Sequence, residues 1–412
     1  MLSIFFYNIA IYCYGLALRL AAPFNNRARL WVDGRKNEPN WSKLNLKSGK
    51  RIWFHCASLG EFEQARPLIE RLRNERKEDT IILTFFSPSG FEIRKNYEGA
   101  DLVAYLPLDT PENAGTFIAR LKPDLVFFVK YEFWFNYLNQ LKNQNIPVIL
   151  FSAVFRPNQV FFKWYGGLFR QILKTFSHIF VQNNSSKVLL ENIGIKASVA
   201  NDTRFDRVYQ IAQSRKSFPL VELFKSNAKI FIAGSTWQRD EELLIKLINE
   251  NILPDYKFII APHNINPARV DEIINELKPA AVRFSALSAE NVVTSKVIVV
   301  DNIGNLASLY TYADIAYIGG GFNASVHNIL EAAINNIPVL FGPHHQKSEE
   351  AKELVALQLA FTISDYDGLN EKIRYAVSHL VTDSLYKLKV KDYMQAHLGG
   401  SETVLKTANT YL

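Results

Sequence analysis

Two series of short, uninterrupted apolar runs are the feature that most constrains the fold of this chain. Each run ends near a polar residue or a proline, and segments with helical spacing separate the runs. Runs without alternation suit strands buried on both faces, and their alternation with helices favours a parallel sheet. The runs are RIWFHCAS, TIILTFFS, LVAYLPLD, LVFFVKYE, VILFSAV and HIFVQN, then KIFIAGST, YKFIIAPH, VIVVDN, IAYIGGG, PVLFGPH and AFTISD. The sequence therefore predicts an α/β fold with two doubly wound units.

The positions of the two series also predict the domain organisation. A chain of 412 residues is too long for one ordinary core, so we expect two domains. We predict that they cover residues 23–215 and 216–412, with an interdomain linker in the polar stretch Gln210–Ser226. Open α/β sheets bind ligands beyond the carboxyl ends of their strands, so the expected site lies in a cleft between the two domains.

Residues 1–22 have the composition of a membrane anchor. The first eighteen residues carry no charge, and Arg19, Arg27, Arg29 and Arg35 follow them. Such a run can span a bilayer or lie in its interface, and a buried core helix is the alternative. The basic start of a cleaved signal peptide is missing, and the basic residues after the run favour a cytoplasmic position for the next domain. We expect this segment to anchor rather than catalyse, because it is separated in sequence from every candidate site residue.

The net charge of +7 and the pI near 9.1 favour an anionic partner, such as a membrane surface, a phosphorylated substrate or nucleic acid. No nucleic-acid-binding module is recognisable, so nucleic acid is not the expected partner. The only cysteines, Cys13 and Cys56, are far apart, which fits a reducing compartment. Asp365 and Asp367 form a DxD pattern, but we interpret them as turn and helix-cap residues rather than metal ligands.

Glu61 is the first candidate catalytic residue. It lies in HCASLGEFEQARPLIERL, where a predicted strand runs into a helix. Ser58 and Glu61 suit a helix start for purely structural reasons, and a general base is the functional alternative. A carboxylate at a helix start tends toward a low pKa, so we expect Glu61 to need desolvation by substrate before it acts as a base.

Two further charged residues of the first domain are candidates. Glu132 follows a strand in KYEFWFNYL, and its charge on an apolar background requires a structural partner such as Lys130 or a position at the cleft. Arg204 lies between Asp202 and Asp206 in VANDTRFDRV, which suits either a local salt bridge or an anion contact.

A glycine-rich turn in IAYIGGGFNASVHNILEAA is the candidate nucleotide contact. Gly319–Gly321 end a predicted strand, and we predict that a helix begins near Ser325. Glycines let a phosphate approach backbone amides at a helix start. Asn328 and Glu331 would lie on one face of this helix and could bind a ribose or a base, while His327 suits a structural role equally well.

In order along nearly the whole chain, several segments resemble the Kdo transferases of lipopolysaccharide assembly, which are two-domain GT-B glycosyltransferases with two Rossmann-like domains. The segments are ARLWVDGRK, HCASLGE, FFSPSG, YEFWFN, NDTRFD and GGGFNASVHNILE. The resemblance implies transfer of 3-deoxy-D-manno-octulosonic acid (Kdo) from CMP-Kdo to a phosphorylated lipid A precursor of the lipid IVA type. It also implies work at the cytoplasmic side of the cell inner membrane, without a cofactor or metal.

The same resemblance implies roles for individual residues. Glu61 would deprotonate the acceptor hydroxyl, and Glu132 and Arg204 would stabilise the transition state. The implied CMP contacts are Pro262, His263, Ile303, Gly304, Asn305, Asn328, Ile329, Leu330 and Glu331. The family commonly has Lys at the position of Arg204, so the positive charge is kept here. It commonly has Arg at the position of His263, and a histidine is positive only when it is protonated.

Two other functions are compatible with these sequence features. One is a GT-B transferase that uses a UDP-sugar in lipid A assembly, which nucleotide binding would distinguish. The other is a noncatalytic basic protein that docks on membranes or nucleic acid, and such a protein would tolerate changes of Glu61.

Overall fold

The computed structural model describes residues 2–36, 47–214 and 216–412, and the chain divides into two compact units. The first unit is Met1–Arg207 with His397–Leu412, and the second is Val208–Ala396. Each unit contains one seven-stranded parallel sheet. The predicted α/β architecture with two doubly wound units is therefore confirmed.

The first unit has the strand order β3-β2-β1-β4-β5-β6-β7. Its strands are β1 (Arg51–Cys56), β2 (Thr80–Phe85), β3 (Leu102–Tyr105), β4 (Leu125–Val129), β5 (Val148–Ala153), β6 (His178–Val181) and β7 (Ser198–Val199). Its helices are α1 (Leu2–Ala21), α2 (Asn26–Asp33), α3 (Leu59–Glu75), α4 (Pro88–Arg94), α5 (Pro111–Leu121), α6 (Phe135–Asn143), α7 (Gly167–Leu173), α8 (Asn184–Glu191), α9 (Thr203–Gln213) and, after the second unit, α19 (Gly400–Ala408).

The core of the first unit lies on both faces of its sheet. Successive residues of a strand point to opposite faces, so Trp53 and Phe54 of β1 enter different clusters. Phe128 packs with Trp53 on one face, and Phe127 stacks on Phe54 on the other at a centroid distance of 4.5 Å. This two-sided burial is the physical reason why the runs that form β2, β4 and β5 are apolar without interruption.

The second unit has the strand order β10-β11-β9-β8-β12-β13-β14. Its strands are β8 (Lys229–Thr236), β9 (Tyr256–Pro262), β10 (Ala281–Arg283), β11 (Val297–Val299), β12 (Ile315–Ile318), β13 (Val339–Phe341) and β14 (Ala360–Thr362). Its helices are α10 (Pro219–Lys225), α11 (Gln238–Asn249), α12 (Pro267–Glu276), α13 (Ala289–Thr294), α14 (Leu306–Leu309), α15 (Leu330–Ala333), α16 (Glu349–Ala356), α17 (Tyr366–His379) and α18 (Ser384–Ala396).

All twelve predicted runs form strands, and the short strands β7 and β10 were not predicted. The boundaries of the units differ from the predicted domains 23–215 and 216–412, because residues 397–412 belong to the first unit. Asp206 holds this segment by accepting hydrogen bonds from the backbone amides of Gly399 and Ser401 at 2.8 and 2.7 Å. The predicted linker Gln210–Ser226 is largely helical, since it contains the end of α9 and all of α10.

Helix α1 is long and apolar enough, by length and composition, to cross a membrane, and 11% of the tested window Ser3–Ala21 is buried. Its exposed large side chains are Phe5, Phe6, Ile9, Tyr12, Tyr14, Leu16 and Leu20. A narrower stripe contacts the first unit, where Ile11 is buried and Gly15 packs against Leu108. The alternative of a buried core helix is therefore wrong.

A buried carboxylate joins α1 to the start of α6. Asp109 accepts hydrogen bonds from the Tyr7 hydroxyl at 2.6 Å and from the backbone amides of Asn136 and Tyr137 at 3.1 and 3.0 Å. These amides belong to the first turn of α6, where helix N–H groups have no partner within the helix. One side chain thus caps α6 and fixes α1.

Asp109→Asn should lower the free energy of unfolding by about 1–3 kcal/mol. The new NH2 group is a hydrogen-bond donor, so it cannot accept from the buried donor that it would face. Urea denaturation followed by circular dichroism measures this change. Asp33→Asn is the matched control, since Asp33 is exposed and pairs with the exposed Lys36, so its effect should stay within about 0.5 kcal/mol. Equal denaturation midpoints for the two variants would contradict the proposed role of Asp109.

Candidate active site

The candidate catalytic carboxylates flank the point where the first sheet reverses its strand order. The chain builds outward from β1 to β3 and then returns to place β4 on the other side of β1. Glu61 lies in the first turn of α3, directly after β1, and Glu132 lies in the loop after β4. Crossover connections leave such a point in opposite directions, which opens a crevice at the carboxyl ends of the two strands.

Glu61 is held at the helix start that the sequence predicts. Ser58 is the N-cap residue of α3, and its backbone amide donates to the Glu61 carboxylate at 2.9 Å. Burial and then the charge of Glu132 raise the pKa of Glu61 to about 7, against the lowering effect of Lys130 and of the amides of Ser58 and Ala57. The expectation of a low pKa is therefore wrong, because the protein itself desolvates this carboxylate.

Glu132 is buried and receives two hydrogen-bond partners on one oxygen. The Trp134 Nε1–H group donates to Glu132 Oε2 at 2.5 Å, and His55 Nε2 lies 3.1 Å from the same oxygen. Lys130, at the start of this loop, has the left-handed φ of +57°. Glu132 is thus partnered by His55 and Trp134 rather than by Lys130 alone.

His55 was missed by the sequence analysis as a site residue. It lies on the central strand β1 and is fully buried, between Trp53 and Phe128. The available signal was a histidine inside the run RIWFHC, among the apolar residues that follow Arg51. A buried polar group requires partners, so such a residue is a reason to search for a hydrogen-bonding network.

Arg204 forms the local salt bridge with Asp202. Its Nη2 and Nε atoms donate to Asp202 Oδ2 at 2.7 and 2.9 Å. Burial would raise the pKa of Asp202, but Arg204 and Lys130 outweigh it and lower this pKa to about 2. Lys130 also lowers the pKa of Glu61, so the cations and carboxylates of this site form one electrostatic group.

Helix α1 packs on the segment that carries Glu132. The Tyr7 hydroxyl accepts from the backbone amide of Phe135 at 3.2 Å, and Asn136 Nδ2 donates to Asn8 Oδ1 at 2.9 Å. Residues 1–22 are separated in sequence from every candidate site residue, but in space α1 contacts the segment that follows Glu132. Separation along the sequence did not predict this contact in space.

A cavity of about 800 Å³ lies in the first unit beside α1 and α2. Its charged lining residues are Arg19, Arg35, Lys36, Glu112 and Arg120. Four of these five side chains are basic, which favours an anionic ligand.

Arg35 connects this cavity to the candidate site. Its guanidinium donates to the Phe86 carbonyl at 2.7 Å, and burial lowers its pKa to about 9. The Phe86 ring lies 4.6 Å from the Trp134 ring, and Trp134 in turn donates to Glu132. The cavity wall is therefore two aromatic side chains away from the candidate catalytic carboxylate.

The second unit places its predicted nucleotide contacts after β9, β11 and β12, and its strand order reverses between β8 and β12. Pro262 ends β9 and His263 follows it. The predicted helix start near Ser325 is wrong, because α15 begins at Leu330. The amides of Val326 and His327 donate to the carbonyls of His344 and Gly319, so they do not form a helix start open to phosphate.

Tight backbone packing requires the glycines of this turn. Gly320 has φ of +88°, and a Cβ atom there would lie 2.7 Å from His327. A Cβ atom on Gly321 would lie 2.6 Å from the backbone of Gly342. The Gly320 amide donates to Asp240 at 3.1 Å, so these glycines serve close packing and not an open phosphate cradle.

Trp237, His263 and His327 form a stack at the ends of these strands. The ring centroids of Trp237 and His263 are 4.5 Å apart, and those of His263 and His327 are 4.7 Å apart. Burial lowers the pKa of His263, and burial followed by the charge of His263 lowers the pKa of His327 to about 4. Both shifts favour the neutral imidazole, so His263 supplies less positive charge than an Arg would supply there.

The remaining predicted nucleotide contacts lie in the loop before α14 and around the start of α15, where Asn328 and Ile329 precede the helix and Leu330 and Glu331 lie in its first turn. Ile303 is 84% exposed, Gly304 has φ of +93°, and Asn305 precedes α14. Asn328 Nδ2 donates to Glu331 Oε1 at 3.1 Å, so these two side chains are close together as predicted. Ile329 and Leu330 between them are buried.

The DxD residues are cap residues, as predicted. Asp365 is the N-cap of α17 and accepts from the backbone amide of Gly368 at 2.9 Å, and Asp367 lies in the first turn of α17. Within the described residues, no group of three or more His, Cys, Asp or Glu side chains is arranged to hold a metal ion.

Solved structures share this architecture at low sequence identity. The UDP-GlcNAc 2-epimerase of Neisseria meningitidis has a TM-score of 0.61 at 16% identity, over 87% of this chain and 100% of the epimerase. CalG4, the calicheamicin glycosyltransferase, has a TM-score of 0.58 at 14% identity, over 89% of this chain and 98% of CalG4. These likenesses concern the fold alone, and they confirm the predicted two-domain, Rossmann-like fold of the GT-B type.

Sequence comparisons identify the family. The model of the family described as 3-deoxy-D-manno-octulosonic-acid transferase (kdotransferase) matches residues 26–207. A bifunctional glycosyltransferase/methyltransferase of Fusobacterium nucleatum is 25% identical, and this chain spans 56% of its length. The 3-deoxy-D-manno-octulosonic acid transferase of Rickettsia felis is 27% identical over 90% of this chain and 80% of its own length. The 3-deoxy-D-manno-octulosonic acid transferase of Aquifex aeolicus is 30% identical over 76% of this chain and 82% of its own length. This chain therefore belongs to the same family, the Kdo transferases.

Proposed function

We propose that this protein transfers Kdo from CMP-Kdo to a phosphorylated lipid A precursor of the lipid IVA type. Membership of the Kdo transferase family supports transfer of this sugar in lipopolysaccharide biosynthesis. The observation that carries the proposal is the pair of carboxylates, Glu61 and Glu132, on the two sides of the strand reversal in the first unit. They differ in environment, which suits two different roles in one reaction.

Glu61 acts as the general base in this proposal. A pKa of about 7 places its carboxylate near the operating pH, where a general base is most effective. It accepts the proton of the acceptor hydroxyl as the oxygen attacks the anomeric carbon of Kdo. The bond from that carbon to the phosphate oxygen breaks, and CMP leaves with the electron pair.

Glu132 and Arg204 stabilise charges that develop during this step. The Kdo ring becomes cationic as the bond to CMP lengthens, and the Glu132 carboxylate offers compensating negative charge. Arg204 is held by Asp202 in the first unit and offers a planar cation for an anionic oxygen. CMP carries one phosphate, so we propose that no divalent metal bridges the leaving group.

The second unit binds the nucleotide in this proposal. Its candidate residues follow β9 and β12, at the edge of the sheet where nucleotides bind in doubly wound folds. Asn328 and Glu331 are close enough to share contacts with a ribose. His263 and His327 are neutral, so they contribute stacking and single hydrogen bonds rather than charge.

The membrane and the acceptor lipid meet the first unit. We propose that α1 lies in the inner membrane with the rest of the chain on the cytoplasmic side, on the basis of its exposed apolar side chains and the arginines that follow it. The cation-lined cavity beside α1 is our candidate for the phosphates of the acceptor. Its link to Glu132 through Phe86 and Trp134 supports this assignment.

Mass spectrometry of the acceptor tests the proposed reaction. A tetraacylated, bisphosphorylated lipid A precursor incubated with the protein and fresh CMP-Kdo should gain the mass of Kdo, and the dephosphorylated lipid should react poorly. EDTA should not stop transfer, because the only DxD pattern caps a helix. Transfer from a UDP-sugar instead, or a requirement for magnesium, would overturn the corresponding part of the proposal.

Glu61→Gln should lower kcat by about a hundred- to ten-thousand-fold, the usual contribution of a general base, while CMP still binds the second unit. The matched control is Glu63→Gln, since Glu63 lies on the same helix but pairs with Arg94 at 2.9 Å. A merely structural Glu61 would instead cost about 1 kcal/mol of stability with little change in turnover. Turnover, melting temperature and CMP affinity should therefore be measured on the same preparations.

The acidic limb of the pH–rate profile should report the pKa of Glu61. The protonated acid cannot accept a proton, so kcat/KM should rise with pH and level off above about pH 7. Lys130 lowers the pKa of Glu61, so Lys130→Met should move the acidic limb to higher pH. Glu132 raises this pKa, so the acidic limb of the residual activity of Glu132→Gln should move to lower pH. A limb that stays in place in both variants would exclude Glu61 as its source.

A further inference from the structure

We propose that His55 is a positioning residue that fixes the orientation of Glu132 during transfer. The proposal rests on the role proposed above for Glu132. His55 occupies the central strand β1, beside Thr84 of β2 and Phe128 of β4 in the sheet register. It is fully buried, so water cannot serve either ring nitrogen from bulk solvent.

Thr84 is the hydrogen-bond partner of His55 on the side away from Glu132. The Thr84 hydroxyl accepts from Trp53 Nε1 at 2.8 Å and lies 2.9 Å from His55 Nδ1. Its single proton can go to His55 Nδ1 or to the Phe54 carbonyl, which is farther away at 3.4 Å. An ionised carboxylate only accepts hydrogen bonds, so the contact of His55 Nε2 with Glu132 places a hydrogen on Nε2, while Nδ1 contacts the Thr84 hydroxyl.

His55 Nε2–H therefore donates to Glu132 Oε2, at 3.1 Å. Trp134 Nε1–H donates to the same oxygen from the other side of the loop. Within the described part of the chain, no hydrogen bond reaches Glu132 Oε1. The two donors thus hold the carboxylate by one oxygen and leave the other for the substrate.

This arrangement gives His55 an effect that a mere core residue lacks. The loop after β4 has a strained turn at Lys130 and no regular structure before α6, so it does not fix the Glu132 side chain by itself. Strand β1, by contrast, is paired on both sides, with β2 and with β4. The hydrogen-bonded series Trp53–Thr84–His55 connects the Glu132 carboxylate to this paired strand and limits the movement of that carboxylate.

Two substitutions at the same position separate positioning from packing. The Asn amide in His55→Asn can replace Nδ1 toward Thr84 but cannot reach Glu132, whereas the longer Gln side chain in His55→Gln can place an N–H group near the Nε2 position. We expect His55→Asn to lower kcat by about 10- to 100-fold, as displaced catalytic groups do, with the KM for CMP-Kdo nearly unchanged. His55→Gln should recover most of this loss, and equal losses in two folded variants would overturn the proposal.

A double-mutant cycle tests whether His55 acts through Glu132. In the Glu132→Gln background, adding His55→Asn should change kcat by less than about twofold, because the interaction has already been altered. The same fold-loss in both backgrounds would mean that His55 contributes independently and would overturn the proposal.

The indole signal of Trp134 gives a readout that does not depend on Kdo transfer. Trp134 Nε1–H bonds to Glu132, so in ¹⁵N-labelled protein its resonance should shift in His55→Asn and return toward the parent position in His55→Gln. Thr84→Val should shift it as well, while Thr84→Ser keeps the hydroxyl and should not. These Thr84 variants also test the proposal if His55→Asn does not fold. An unchanged signal in Thr84→Val would overturn the proposal, whereas absent Kdo transfer by the parent would count against the proposed function alone.

Discussion

The parallel pairing of β1 with both β2 and β4 is the constraint on which the rest of the first unit depends. Because β1 lies at the centre, the register that pairs Phe54 with Phe127 also fixes where the two strands end. Glu61 and Glu132 follow those ends, and their mutual charge is one of the causes of the raised pKa of Glu61. The site is therefore a consequence of sheet topology, since the chain segments that meet there are far apart in sequence.

The local sequence pattern was sufficient to predict the elements whose residue types follow from their burial. Two-sided burial makes strands such as β2 and β5 apolar throughout, and all twelve predicted runs are strands. The position of Glu61 at a helix start was also readable, because Ser58 and the acidic first turn are local signals. Pattern failed at β7 and β10, which have two and three residues and are not fully buried.

What could not be predicted depends on residues distant in sequence. The pKa of Glu61 follows from burial and from Glu132, and neither is visible in the segment around Glu61. The contact of α1 with the Glu132 loop depends on Tyr7, whose partners Asp109 and Phe135 are more than a hundred residues away. The prediction of a helix start near Ser325 was wrong because the backbone amides of Val326 and His327 bond to the carbonyls of His344 and Gly319 instead of remaining open.

The return of residues 397–412 to the first unit has a consequence for biosynthesis. Val404, Leu405 and Ala408 of α19 belong to the same buried cluster as Phe54 and Phe127 of the central strands. The ribosome makes these three residues only after the whole of Val208–Ala396 has been synthesised. The first unit therefore cannot complete its core until the second unit has been synthesised.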